Sequence, residues 1–231
     1  MILKDRRIAI TGAFGTLGTA VVRCALAEGA HVAALDHAAA PRSASDFTGA
    51  MLIGGVDLAD EQGAHGALTR AATALGGLDG LVNIAGGFAW EKVEGGSLET
   101  WDRLYRLNTR TALAASQAAL PFLRDSRAGR IVNIGAAGAT RAAAGMGAYA
   151  ASKSGVARLT EALAEELKAQ GITVNALLPS IIDTEPNRKD MPDADFSRWV
   201  QPGQIGDAIV FLLSDRAQAI TGALIPIVGR V

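Results

Sequence analysis

Short apolar runs alternate with longer stretches in which apolar positions recur every three or four residues. The runs at 7–11, 31–36, 51–55, 80–84, 130–135, 173–178 and 223–228 read as strands. The periodic stretches at 17–28, 61–75, 98–123, 148–170 and 204–214 read as helices. The strand runs are mostly continuous rather than alternating, which suits strands buried on both faces. Strand–helix alternation implies right-handed βαβ crossovers and a parallel sheet. The pattern predicts one α/β domain over 1–231, a doubly wound parallel sheet of about seven strands with helices on both faces. The stretch 180–200 breaks the pattern and is rich in Pro, Asp and Asn. A loop of that length inside a compact domain points to function, here as a lid over the substrate side.

Composition narrows the classes. Hydrophobic residues are 49% of 231, enough for a sizeable core, while aromatics are only 5% and Gly is abundant. Net charge is −1 with no basic stripe, so nucleic acid is not expected as a partner. No apolar run approaches the ~18 residues of a membrane span. The opening MILKDRRIAITG runs straight into a strand, without a signal-peptide layout. Cys24 is the single cysteine, so no internal disulfide forms, and a cytoplasmic location is the simplest expectation.

The first strand ends in Thr11-Gly12-Ala13-Phe14-Gly15-Thr16-Leu17-Gly18, and a helix follows at once. Glycines let the backbone turn tightly and approach a pyrophosphate, and the helix N-terminus supplies free N–H groups and a positive dipole end. The second strand ends at Asp36, 18 residues past Gly18. A carboxylate there accepts hydrogen bonds from ribose hydroxyls and repels a 2′-phosphate. No arginine follows at once, so NAD(H) is expected over NADP(H). Asp57, after the third strand, fits either the adenine amino edge or a turn.

Tyr149 and Lys153 lie four residues apart in GMGAYAASKSG, on one face of a helix. A free tyrosine titrates near 10, and a neighbouring ammonium favours the phenolate. The pair is thereby expected to bring a proton donor toward neutral pH.

Taken together, the glycine loop, Asn83-Ile84-Ala85-Gly86, Asn108, Tyr149 with Lys153, and Asn175 and Pro179 before the late loop resemble the short-chain dehydrogenase/reductase family over nearly the whole chain. The resemblance implies a Rossmann-type fold and hydride transfer with a nicotinamide cofactor. It makes Tyr149 the general acid/base, Lys153 its ribose-binding partner, and Asn108 the holder of a water in a proton relay. It extends the cofactor set to Leu58, Asn83, Ala85, Gly86, Pro179, Ile182 and Thr184, with Asn83 also suited to tying strands together. Members of the family pair through the long helices, here 98–123 and 148–170, which implies a homodimer or homotetramer. The substrate implied is a small molecule.

One position departs from the family. The serine usually found 13 residues before the tyrosine is Ala136, and Thr140 has the wrong spacing to replace it. Losing such a donor costs about 100-fold or more in rate. Alanine at this position is found in the dihydropteridine reductase branch of the family. Gly145-Met146, Ala85-Gly86-Gly87 followed by Phe88, and the lid elements Asp183-Thr184, Asn187-Arg188-Lys189, Met191-Pro192, Ala194-Asp195-Phe196-Ser197 and Trp199 also resemble that branch. On that resemblance Phe88, Ala136 and Asn187 join Tyr149 on the substrate side; Phe88 or Trp90 could stack on a flat ring, or both could simply wall the pocket or pack in the core. The rival readings are a carbonyl or alcohol oxidoreductase working without the serine, and a dinucleotide-binding protein with no turnover.

The remaining polar residues carry less. His31, His37 and His65 show no metal-ligand spacing, and no metal is expected. Ser152 belongs to the tyrosine helix, with no nucleophile elbow around it. Arg188 and Lys189 read as solvated loop charges.

Overall fold

The computed structural model describes residues 1–231. Seven parallel strands form one sheet: β1 Arg7–Thr11, β2 His31–Leu35, β3 Met51–Ile53, β4 Gly80–Asn83, β5 Arg130–Ile134, β6 Thr173–Pro179 and β7 Leu224–Ile227. Their order is β3-β2-β1-β4-β5-β6-β7. The chain winds outward from β1 in one direction and from β4 in the other, so the crossovers diverge between these two strands. That divergence opens a crevice at the carboxyl ends, where open α/β sheets bind ligands.

The helices are α1 Thr16–Ala27, α2 Glu61–Leu75, α3 Leu98–Tyr105, α4 Thr111–Arg124, α5 Gly147–Leu167, α6 Glu185–Asp190 and α7 Pro202–Leu213. The sheet divides the core into two clusters. Ile8, Ile10, Val32, Val82 and Val132 point to the face covered by α1 and α7. Ala9, Ala33, Leu35, Leu81 and Ile131 point to the face covered by α2, α4 and α5. This period-two alternation explains why the strand runs are apolar throughout: both faces are covered. On the second face the helices present Ala64, Ala67, Ala71, Ala115 and Ala119, small side chains that let backbones approach closely without aromatic fillers. No helix is long and apolar enough to cross a membrane.

Two segments differ from the sequence pattern. The single helix expected over 98–123 is three pieces, α3 and α4 joined by a π-helical turn at Arg106–Arg110 that contains Asn108. Apolar periodicity does not register one inserted residue, because helical φ/ψ continue through it; π turns concentrate at functional sites. The irregular stretch 180–200 contains α6 and a short 3₁₀ turn at Phe196–Arg198. It is knit by its own polar groups. Arg188 pairs with Asp183 through both carboxylate oxygens and lies 4.7 Å over the Phe196 ring, which packs on Trp199. Arg188 is exposed, as read from sequence, and it also staples the lid through these contacts.

Glycines show where the backbone has no slack. A Cβ at Gly18 would lie 2.2 Å from the Gly12 carbonyl oxygen and 2.6 Å from Ala13 Cα, both backbone atoms. Gly66, exposed in the middle of α2, has open space around it. Gly18→Ala is expected to cost about 2 kcal/mol or more, and Gly66→Ala to add about 0.5–1 kcal/mol. Urea unfolding midpoints read both; an unchanged midpoint for Gly18→Ala would show that this approach can relax.

Candidate active site

The crevice between the β1 and β4 ends is about 740 Å³. Gly12 turns at φ +64°, and a Cβ there would lie 2.7 Å from Ala85 N, so the β1 and β4 loops touch only because this residue is glycine. Thr11 fastens the same junction: its hydroxyl accepts from Ile84 N at 3.1 Å and Ala85 N at 3.3 Å. Gly15 is the N-cap of α1 and no side chain caps that helix. Its missing Cβ would meet the chain only at 3.6 Å, so the open space belongs to the crevice. The first turn of α1 is thus a seat for an anion such as a pyrophosphate.

Of the residues expected to hold a dinucleotide, Gly12, Phe14, Gly15, Thr16, Leu17, Gly18, Asp36, Asp57, Leu58, Ala85, Gly86 and Thr184 line the crevice. Asp36 is held at its edge by two backbone N–H donors, Phe14 at 2.8 Å and Ala38 at 2.9 Å, which leave further lone pairs facing outward. Asp57 serves both geometries considered for it. One oxygen accepts from Ala59 N at 2.9 Å in a turn, while the other accepts from Arg106 at 2.6 Å within the crevice lining. The Ala59 N–H and then Arg106 hold this carboxyl below its usual range. Arg106 and Arg42, which also line the crevice, were not singled out from sequence. Arg106 reaches Asp57 across 49 positions, so only the fold reveals the pair.

The structure does not bring Asn83, Pro179 or Ile182 to the crevice wall. Asn83 is buried behind it, donating to Asn133 at 2.9 Å and Ser116 at 3.1 Å, and so ties β4 to β5 and α4. Pro179 ends β6, and Ile182 pairs with Val200 while packing on the core. Asn187, expected toward substrate, spends its amide on the Ile182 carbonyl at 2.8 Å. Thr184 caps α6, its hydroxyl accepting from Asn187 N at 3.4 Å.

The tyrosine group converges beyond Gly86. A Cβ on Gly86 would lie 2.5 Å from Asn108 Oδ1 and 3.4 Å from Lys153 Nζ, so one crevice-lining glycine backs onto both. Lys153 is buried and donates to the Ile134 carbonyl at 2.8 Å. Its pKa falls to about 8 because burial disfavours the ammonium. Tyr149 is pushed up to about 12 by the same cause. This corrects the expectation of a tyrosine drawn toward neutral pH: in the chain alone, burial is the cause that acts on the phenol, and the Lys153 amine is turned to the Ile134 carbonyl.

One aromatic ring meets the phenol and a second lies just before its helix. Phe88, 56% exposed, meets Tyr149 edge-on with ring centroids 5.0 Å apart. Trp90 is anchored by Nε1 donating to Ala144 O at 3.0 Å, and its indole lies on Gly145, where a Cβ would come within 2.2 Å. Ala136 is buried just past β5. Thr140 donates to its own Ala137 carbonyl at 2.8 Å and does not replace the missing hydroxyl.

The buried lysine has a measurable cost. Its folded pKa of about 8 lies below the ~10.4 of an unfolded lysine, so between these values the unfolded chain binds more protons and stability rises with pH. Lys153→Met is expected to unfold at higher urea at pH 7, by about 1–3 kcal/mol after loss of the hydrogen bond to Ile134. The gain should shrink from pH 8 to 10.5. Equal stability of the two proteins at pH 7 would contradict a desolvated ammonium.

The family model described as short chain dehydrogenase matches residues 6–195. The chain is 34% identical over 246 residues to 2-(S)-hydroxypropyl-CoM dehydrogenase 3 of Xanthobacter autotrophicus, covering 98% of this chain and 96% of that protein. A short-chain dehydrogenase of Burkholderia cenocepacia solved with NADP superposes with TM-score 0.88 at 32% identity, covering 99% and 98% of the two chains. The 3-ketoacyl-(acyl-carrier-protein) reductase of Brucella melitensis solved with NADH gives TM-score 0.88 at 26% identity, covering 99% of each. The matched span, with the crevice and the tyrosine group inside it, places this chain in the short-chain dehydrogenase/reductase family of NAD(P)-dependent oxidoreductases.

Proposed function

We propose that the protein is an NAD(H)-preferring short-chain reductase in which Tyr149 delivers the proton. The carrying observation is the shared wall at Gly86, which lines the dinucleotide crevice and backs onto Asn108 and Lys153. When bound, the nicotinamide supplies or accepts the hydride at C4. The first turn of α1 and the crevice glycines seat the pyrophosphate, and Asp36 receives the adenosine ribose hydroxyls. Asn108 and Lys153 hold the proton path beside Tyr149. Burial keeps the phenol in its protonated form, though as a weaker acid than free tyrosine, so proton delivery rests on what Lys153 and the bound cofactor do to it.

Ala136 bears on the substrate. With no hydroxyl there to meet a developing oxyanion, a substrate that spreads charge over a ring suits the site better than a simple ketone. Phe88 and Trp90 offer flat faces for such a ring. A quinonoid dihydropterin has these properties, and the resemblance of the lid to dihydropteridine reductase supports it. The second reading is an alcohol or carbonyl oxidoreductase, favoured by the dehydrogenases among the relatives.

NADH oxidation with quinonoid dihydropterin, set against a panel of ketones and sugar-derived carbonyls, separates the readings. Pterin turnover is expected, lost about 100-fold or more in Tyr149→Phe with NADH binding kept. Ketone turnover without pterin turnover would remove the pterin assignment. NADH binding with no turnover of any substrate would leave a dinucleotide-binding protein. For the cofactor, Asp36→Ala is expected to lower the NADPH KM by about tenfold or more relative to that for NADH. Equal use of both cofactors by the unaltered protein would overturn the role given to Asp36.

A further inference from the structure

Ser152 sits between the tyrosine and the lysine of α5, and it is fully buried. Its hydroxyl donates to the Tyr149 carbonyl at 2.8 Å, one turn back along the helix. The same oxygen accepts from Asn108 Nδ2 at 2.9 Å. Its backbone carbonyl accepts from the Thr109 hydroxyl at 2.7 Å. Consecutive residues of the π turn therefore both grip one residue of α5.

Neighbouring glycines are shaped around this grip. A Cβ at Gly155 would fall 2.7 Å from Thr109 Oγ1, and one at Gly86 would fall 2.5 Å from Asn108 Oδ1. On its far side Asn108 accepts from Gly87 N at 2.9 Å and donates to Gly87 O at 3.0 Å. A continuous chain thus runs from the β4 loop through the Asn108 amide and the Ser152 hydroxyl to the main chain of Tyr149. Every polar atom along it is paired, and such fully satisfied buried networks hold their members in one arrangement.

We propose that Ser152 is a positioning residue, coupling Asn108 to the Tyr149–Lys153 turn so that the phenol, the amine and the Gly86 wall keep one register. Ser152 is buried and does not line the crevice; it acts through the carbonyl of Tyr149 and the amide of Asn108. The proposal rests on the reading of Tyr149 as proton donor.

The test uses the full chain and quinonoid dihydropterin, or whichever panel carbonyl turns over. Ser152→Ala is expected to lower kcat about 10- to 100-fold while the NADH KM stays within about twofold, because a small misplacement of a reacting group costs rate rather than cofactor binding. Ser152→Thr, which restores the hydroxyl, is expected to recover most of the loss. Asn108→Ala combined with Ser152→Ala should cost no more than the worse single variant, as members of one unit do. If Ser152→Ala does not fold, Ser152→Cys keeps the buried volume and weakens both hydrogen bonds, and about a fivefold loss of kcat is expected.

A readout that needs no turnover is also available. The chain has two tyrosines, Tyr105 and Tyr149, so Tyr105→Phe leaves one isotope-labelled ring. Its Cζ resonance is expected to move in Ser152→Ala. A lowered urea midpoint with unchanged kcat, or an unmoved Tyr149 resonance, would show a merely structural serine and overturn the proposal. Turnover that survives Tyr149→Phe would instead remove the proton-donor reading. An inactive Tyr149→Phe beside a fully active Ser152→Ala would remove the role of Ser152 alone.

Discussion

The contact between Gly12 and the Ala85 backbone is the constraint on which the rest depends. A methyl group in that space would sit 2.7 Å from a peptide nitrogen, so any side chain at position 12 drives the β1 and β4 loops apart. These loops leave neighbouring strands at the point where the sheet order turns, and both ends of the candidate site are built from them. The β1 loop leads to the first turn of α1. The β4 loop leads through Gly86 and Gly87 to Asn108. The hydroxyl of Thr11, bonded to two N–H groups of the β4 loop, holds the junction closed from inside. The two ends of the candidate site are therefore registered to each other through a backbone-to-backbone approach.

The site is stabilised unevenly. Lys153 is driven toward neutrality by burial, and Tyr149 is driven toward its protonated form. The first opposes folding at neutral pH, since the chain must bury a charge; the second does not, since a phenol is neutral there anyway. The fold offsets part of the cost at Lys153 with a hydrogen bond to a strand carbonyl. A methionine of similar length would pack more cheaply. A lysine kept there against its own solvation is the pattern of a residue held for chemistry rather than for stability.

What could be read from the sequence was local. The glycine loop, the Tyr149–Lys153 spacing and the strand–helix alternation each fit within one or two consecutive elements, where periodicity and turn chemistry act directly. The place of Asp36 in the crevice lining was legible for the same reason, since it follows the strand after the glycine loop. The π turn was not, because one extra residue in a helix leaves the apolar spacing almost untouched. Arg106 beside Asp57, and Arg42 in the crevice lining, depend on segments far apart in the chain. The acidity of Tyr149 was misjudged because spacing shows a neighbouring charge but not the burial of both groups. Asn83 and Asn187 show a further limit: side chains of the right type near the right motif turned to the core and to the lid's own backbone.

Ala136 changes how the remaining groups must share the work. In a site with a hydroxyl at that position, one donor meets the substrate oxygen while the tyrosine transfers the proton. Here the side chain is a methyl, and the nearest hydroxyl in sequence, Thr140, is spent on a backbone carbonyl. Under the proposed function, Tyr149 is then left both to orient the substrate and to protonate it. A group with both duties tolerates little movement, because an error in its placement affects binding and proton transfer together. This is where the rigid setting around it matters: Phe88 against the ring, Ser152 on its carbonyl, and Trp90 seated on Gly145 at the entrance to its helix. The loss of one polar contact to the substrate and the dense bracing of the tyrosine are two sides of one design.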